Sequence, residues 1–143
     1  MELNAIAKRA PGVKPPSLNV LITAYTNTAL DDLLASIARM LYSLQEAARQ
    51  TEDDPAWEWS KRVLVVRVTS FAGEDDPSQP EGSAPVFCVK PNELEPLTAD
   101  DEIAGRIVAC TVWGAAKLKK GNVFDMIAID EGGLGVKRIY FHQ

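Results

Sequence analysis

The feature that most constrains this chain is a set of short, nearly all-apolar runs with one long amphipathic stretch among them. The runs are Asn19–Thr23 (NVLIT), Arg62–Val68 (RVLVVRV), Arg106–Val112 (RIVACTV) and Asp125–Asp130 (DMIAID). A strand wetted on one face alternates apolar and polar residues, whereas a strand covered on both faces reads as continuously apolar. Between the first two runs, Leu30, Leu33, Leu34, Ile37, Leu41 and Leu44 recur at helical spacing. They predict one apolar stripe on an α-helix that continues to about Arg49. Asn27 or Thr28 can cap its first N–H groups, and Asp31 follows Thr28 by three residues as in a capping box. Asp31 and Asp32 also suit the positive end of the helix dipole. The pattern predicts an α/β fold with a mostly parallel, helix-covered sheet.

Around that frame the chain divides simply. Residues 1–18 are a lead-in, in which ELNAIAKRA is read as the last turns of a helix ended by the prolines of PGVKPPS. TEDDPAWEWS is read as a polar connection. Residues 70–102 hold nine acidic residues, one lysine and five prolines. A connection of that length and composition is an insertion or poorly ordered, with PVFCV as a short strand inside it. Trp113–Lys119 is a short helical or irregular piece. Residues 136–143 are a tail after a glycine-rich stop at Gly132, Gly133 and Gly135.

The 143 residues suit one domain. A net charge of −5 excludes a strongly basic, nucleic-acid-coating protein while leaving room for a local phosphate-binding edge. No apolar run reaches the ~18 residues a membrane span requires, and the first residues carry no signal-peptide core. Two cysteines, Cys88 and Cys110, and a single histidine, His142, argue against a zinc site or a disulfide scaffold. They suit a reducing compartment, so an intracellular location, cytoplasmic or nuclear, is expected.

In parallel α/β sheets ligands gather at the carboxyl ends of the strands. Thr23–Asn27, Thr111 and Asp130–Glu131 all follow strand runs and are expected to converge on one rim. In FDMIAIDEGG (124–133) an apolar run stops abruptly at Asp-Glu, the Walker B pattern. Asp130 at the strand end can bind Mg²⁺ directly or through water, and Glu131 can orient or deprotonate a water attacking a γ-phosphate. The competing reading is a strand end followed by a solvated acidic turn. In VLITAYTNTALDDLL (20–34) the hydroxyls and amides are either plain turn and cap formers or a phosphate-binding edge at a helix start. Trp57, Trp59 and Trp113 are read chiefly as packing against the sheet, with base stacking as the alternative. Lys117, Lys119 and Lys120 are a solvated surface or a small basic patch near Thr111.

Together these segments resemble superfamily 1 helicases, in the branch of the nonsense-mediated-decay and Okazaki-fragment helicases and their AAA-type relatives. VLITAYTNTALDDLL resembles motif Ia, roughly an apolar strand followed by T-A-x-[ST]-N-x-A-[VL]-D-x-L. Thr23, Ala24, Thr26, Asn27, Ala29, Leu30, Asp31 and Leu33 match it. RVLVVRVTS resembles the following strand, with Arg67 and Ser70 matching and Thr69 replacing a glycine. RIVACTVWGAAKL resembles the next segment, and FDMIAIDEGG resembles motif II. The resemblance covers about residues 18–133. It implies a partial, RecA-like three-layer α/β/α P-loop NTPase domain over 19–135. It further implies ATP and Mg²⁺ as cofactors at Asp130 and Glu131, with Glu131 catalytic. Thr23, Thr26, Asn27, Thr28 and Thr111 would contact a single-stranded DNA or RNA backbone.

The chain departs from that family in three ways. It contains no GxxxxGK[ST] loop, the Walker A element that cradles phosphates. Leu134 stands where the family places a glutamine, and GVKRIYFHQ does not match the family's continuation. An incomplete motor domain, inactive by itself and complemented by the remainder of a helicase core, is therefore expected. A sheet without its P-loop strand is further expected to show a gap or an unpaired edge. The alternatives are a non-catalytic module that binds nucleic acid or a protein, and an unrelated Mg²⁺-dependent phosphotransfer or receiver-like domain using Asp130 and Glu131, which would need a further acid at another strand end that neither Thr23 nor Val68 offers.

Overall fold

A computed structural model describes residues 18–70, 80–97 and 102–130, together with the backbone of 137–141. The elements are β1 (Leu18–Ala24), α1 (Asn27–Gln50), α2 (Asp54–Lys61), β2 (Val63–Val68) and β3 (Val86–Val89). They are followed by β4 (Gly105–Thr111), α3 (Val112–Ala115), β5 (Met126–Asp130) and β6 (Lys137–Phe141). The sheet order is β3-β2-β4-β1-β5-β6. Every neighbouring pair is parallel except β5 with β6, which is antiparallel. The expected α/β fold with a mostly parallel sheet is what the chain adopts.

The two faces of the sheet follow from the period of two along each strand. Val20, Ile22, Ala24, Val65 and Ala109 face α1, whose Leu30, Leu34 and Leu41 complete that core. Leu21, Val66, Val68, Val108 and Cys110 point the other way, against Leu94 and Phe124. Ala115 and Leu118 pack there from α3 and the turn after it. One face is thus covered by a 24-residue helix, the other by short irregular pieces and a four-residue helix.

α1 begins one residue earlier than its apolar stripe suggests. Its N-cap is Thr26, whose hydroxyl accepts from Ala29 N–H at 3.1 Å, and not Asn27 or Thr28. Asp31 accordingly falls outside the first turn. At its far end α1 outruns the sheet: 24 residues extend ~36 Å, while a seven-residue strand extends ~23 Å. Leu44, nominally in the stripe, is therefore 53% exposed. The last turns pack on α2 instead, where Gln45 Nε2 donates to the Ser60 carbonyl at 3.2 Å.

α2 lies in the stretch read as a connection. Asp53 caps it, accepting from Ala56 N–H at 3.1 Å, and Pro55 occupies its first turn, where a missing N–H costs nothing. β6 lies in the stretch read as a tail. Among the described residues the strands run as one ladder without a gap: β6 covers the edge of β5, and the outer strands are β3 and β6. Within the acidic stretch 70–102, β3 extends the sheet, Ala84 is buried in the core beneath α1, and Leu94 is buried on the opposite face. That portion contributes to both cores and is not a mere insertion. The lead-in helix expected before residue 18 lies outside the described residues. No helix among them is long and apolar enough to cross a membrane.

Candidate nucleic-acid interface

The carboxyl rim is built by strand register. Ala24 pairs with Thr111 on one side and with Asp130 on the other. Thr23 pairs with Cys110 and Ile129 one step earlier. The tip after β1 and the acidic end of β5 therefore stand side by side on one rim, with the end of β4 on the other flank.

The polar residues of that rim differ in what they can offer. Thr23 is buried, 5% exposed. Thr26 and Thr28 are exposed, and the Thr26 hydroxyl is engaged as the α1 cap. Thr111 is half-buried, and its hydroxyl accepts from Gly114 N–H at 3.0 Å, which starts α3. Asn27 is exposed, yet its amide oxygen accepts from Arg67 Nη2 at 2.7 Å. An amide whose oxygen faces a guanidinium must turn its NH₂ donors away from it. Asp130 is half-buried at the end of β5, and Glu131 lies outside the described residues.

Arg67 is the residue that organises the rim, and motif reading noted it only as a match. It is 6% exposed in the middle of an apolar run. Besides Asn27, its Nε donates to Asp31 Oδ1 at 3.2 Å and its Nη1 to the Val68 carbonyl at 2.7 Å. A buried guanidinium needs such partners for its N–H groups, since each one left unmade is costly. The fork ties the first turns of α1 to the end of β2. A lone arginine inside VLVVRV was the available signal, because charged residues are rarely buried without partners.

Cys110 lies one residue before Thr111 and is fully buried. Burial pushes its thiol up to about 11, with the Arg67 charge pulling weakly the other way. A thiol that resists ionisation is a poor nucleophile, so Cys110 is a core residue here.

Aromatic placement also differs from expectation. Trp57 and Trp59 are half-buried, and Lys61 Nζ sits 5.3 Å from the Trp57 ring centroid. Trp113, read chiefly as packing, is 71% exposed, and Tyr25, which the sequence did not single out, is 61% exposed. The three lysines do not form one patch near Thr111. Lys119 Nζ is bound to Glu95 Oε1 at 2.6 Å, and the Glu95 carbonyl accepts from Arg106 near the start of β4, the end of that strand away from Thr111.

The donors at the carboxyl rim make a partial fit to Mg-ATP. Asp130 can serve as one oxygen ligand, and Mg²⁺ commonly takes one or two carboxylates and completes its shell with phosphate and water. Among the described residues no group of three His, Cys, Asp or Glu is placed to hold a metal ion. The 143 residues contain no GxxxxGK[ST] pattern. A single strand-end carboxylate does not by itself make such a site, and no hydrolytic step follows from it. No family model, curated protein or solved structure matches the chain.

Proposed function

We propose that this chain carries the motif Ia and Walker B rim of a helicase-type, RecA-like domain, and that the rim holds the phosphate backbone of single-stranded DNA or RNA. The supporting observation is the register that sets Ala24 between Thr111 and Asp130. It gathers onto one edge three polar strand ends that lie far apart in sequence. Thr26, Asn27, Thr28 and Thr111 are the backbone contacts: short hydroxyls and amides at a helix start bind phosphate without net positive charge. Thr23 acts from beneath, as a buried support for that tip. Asp130 and Glu131 would serve Mg-ATP only where a phosphate cradle and a second domain are supplied by the remainder of a helicase core. The chain by itself turns over no ATP.

Binding of a single-stranded oligonucleotide at low salt, compared between the native chain and a Thr26→Ala/Asn27→Ala double variant, tests this reading. The native chain is expected to bind at least about tenfold more tightly, and the affinity to fall as salt rises. Equal binding by the two proteins would remove the proposed edge. ATP turnover abolished by Glu131→Gln would show that the chain is a complete enzyme, contrary to this proposal.

A further inference from the structure

The carboxyl rim has an unexplained feature beside its polar groups. Its two flanking aromatic residues are turned to water rather than into the core. Tyr25 is the first residue after β1 and Trp113 is the second residue after β4, and these strands are neighbours with Ala24 opposite Thr111. The two rings therefore leave adjacent strand ends. Their exposures, 61% and 71%, contrast with the half-buried Trp57 and Trp59 elsewhere. Aromatic side chains of that size contribute most when buried, and leaving two in water at one place costs stability without folding benefit. Lys117, in the turn just after α3, is also exposed. The Asn27 donors, turned outward by Arg67, lie on the same tip as Tyr25.

We infer that Tyr25 and Trp113 form a base-stacking platform, which makes the rim selective for single-stranded nucleic acid. The inference rests on the backbone-binding reading above and extends it from phosphates to bases. A flat π-face with a polar edge suits unpaired bases, because every base presents its own π-face and stacking needs no sequence match. In a duplex those faces are already stacked inside the helix, so only the backbone remains to be held. Lys117 and the outward Asn27 amide supply donors for phosphate beside the rings. An apolar peptide would not need such donors, and the net acidity of the chain disfavours a purely electrostatic grip on a duplex.

The test titrates the full chain with an oligothymidylate of about fifteen nucleotides, with an abasic strand of equal length and with a duplex of equal length, a span that covers common single-strand site sizes. Tryptophan emission and anisotropy are read together. Oligothymidylate is expected to bind about tenfold or more tightly than the abasic strand or the duplex, and to quench emission. Trp113→Ala and Tyr25→Ala are each expected to bring oligothymidylate down to the abasic level while leaving abasic binding and thermal stability unchanged. Trp113→Phe should recover most of the affinity. If abasic and thymidylate strands bind alike and the variants bind like the native chain, the platform is overturned and the backbone edge survives. If neither strand binds, both readings fall. If sedimentation shows a self-associated chain that Trp113→Ala dissociates, the rings are covered by a second copy, and the platform is likewise overturned.

Discussion

The two faces of the sheet are sealed by different physics. On one, α1 lays Leu30, Leu34 and Leu41 over Val20, Ile22, Val65 and Ala109, an apolar contact in which neighbouring turns can support one another. On the other, short irregular pieces are held down by a buried guanidinium. Arg106, 5% exposed, donates from Nε to Asn19 Oδ1 at 3.1 Å, from Nη1 to the Glu95 carbonyl at 2.7 Å and from Nη2 to Asn122 Oδ1 at 3.2 Å. Asn122 passes the connection on, donating to the carbonyls of Leu94 and Lys119, and Asn19 Nδ2 donates to the Val123 carbonyl. A long helix covers a sheet through many small contacts, so its loss is graded. A cover without regular hydrogen bonding must satisfy its backbone through side chains, so a few residues carry it.

Leu34→Ala is expected to show the largest effect, because Leu34 is 4% exposed in the middle of the α1 contact. Deleting a buried leucine typically costs about 2–5 kcal/mol, and urea unfolding of the variant should report a loss in that range. Leu44→Ala, on the same helix beyond the edge of the sheet, should cost less than about 0.5 kcal/mol. Equal losses at the two sites would mean that the stripe, and not the sheet beneath it, sets the energetics of this face.

Arg106→Met is expected next, at about 2–3 kcal/mol, since it keeps volume but strips three acceptors of their donor, among them the buried Asn19 side chain. Its signature is local: amide hydrogen exchange should accelerate at Asn122–Phe124 and at the residues around Leu94 before it does in α1. Uniform acceleration across both faces would show that the network merely reports global stability.

The third effect concerns pH on the irregular face. The Cys110 thiol is raised to about 11 in the folded chain, so the folded state holds its proton more tightly than the unfolded state does. The associated stability is complete below the ordinary thiol range near pH 9 and is lost as pH climbs towards 11. The stability difference between the native chain and Cys110→Ala should shrink by about 1–2 kcal/mol over that interval. A difference that stays constant from pH 8 to pH 11 would show that Cys110 does not titrate with the seal.

Legibility in the sequence follows the same division. β1, α1, β2, β4 and β5 could be read because each repeats one short-range rule, continuous apolarity or a helical stripe, over several residues. α2 was missed because its signal, Asp53 followed by Pro55, is a cap without an apolar stripe long enough to confirm it. β6 was missed because nothing within Lys137–Phe141 dictates its pairing; its partner is the edge of β5. The cap of α1 was displaced by one residue for a related reason. Asn27 and Asp31 are both helix-start residues by type, but Arg67, contributed by β2, recruits them to a different task and leaves Thr26 to cap.

The order of apolar runs and the helical stripe determined the α/β class and the carboxyl rim on which Thr111, Asp130 and the tip after β1 meet. Those choices depend on burying apolar area at a fixed period, a rule written in neighbouring residues. Which polar groups stay available on that rim was decided only in three dimensions. Burial withdraws Thr23, Arg67 turns Asn27 and binds Asp31, and Tyr25 and Trp113 are left facing water. Hydrogen bonds between residues tens of positions apart compete for each side chain, and no local pattern shows which partner wins.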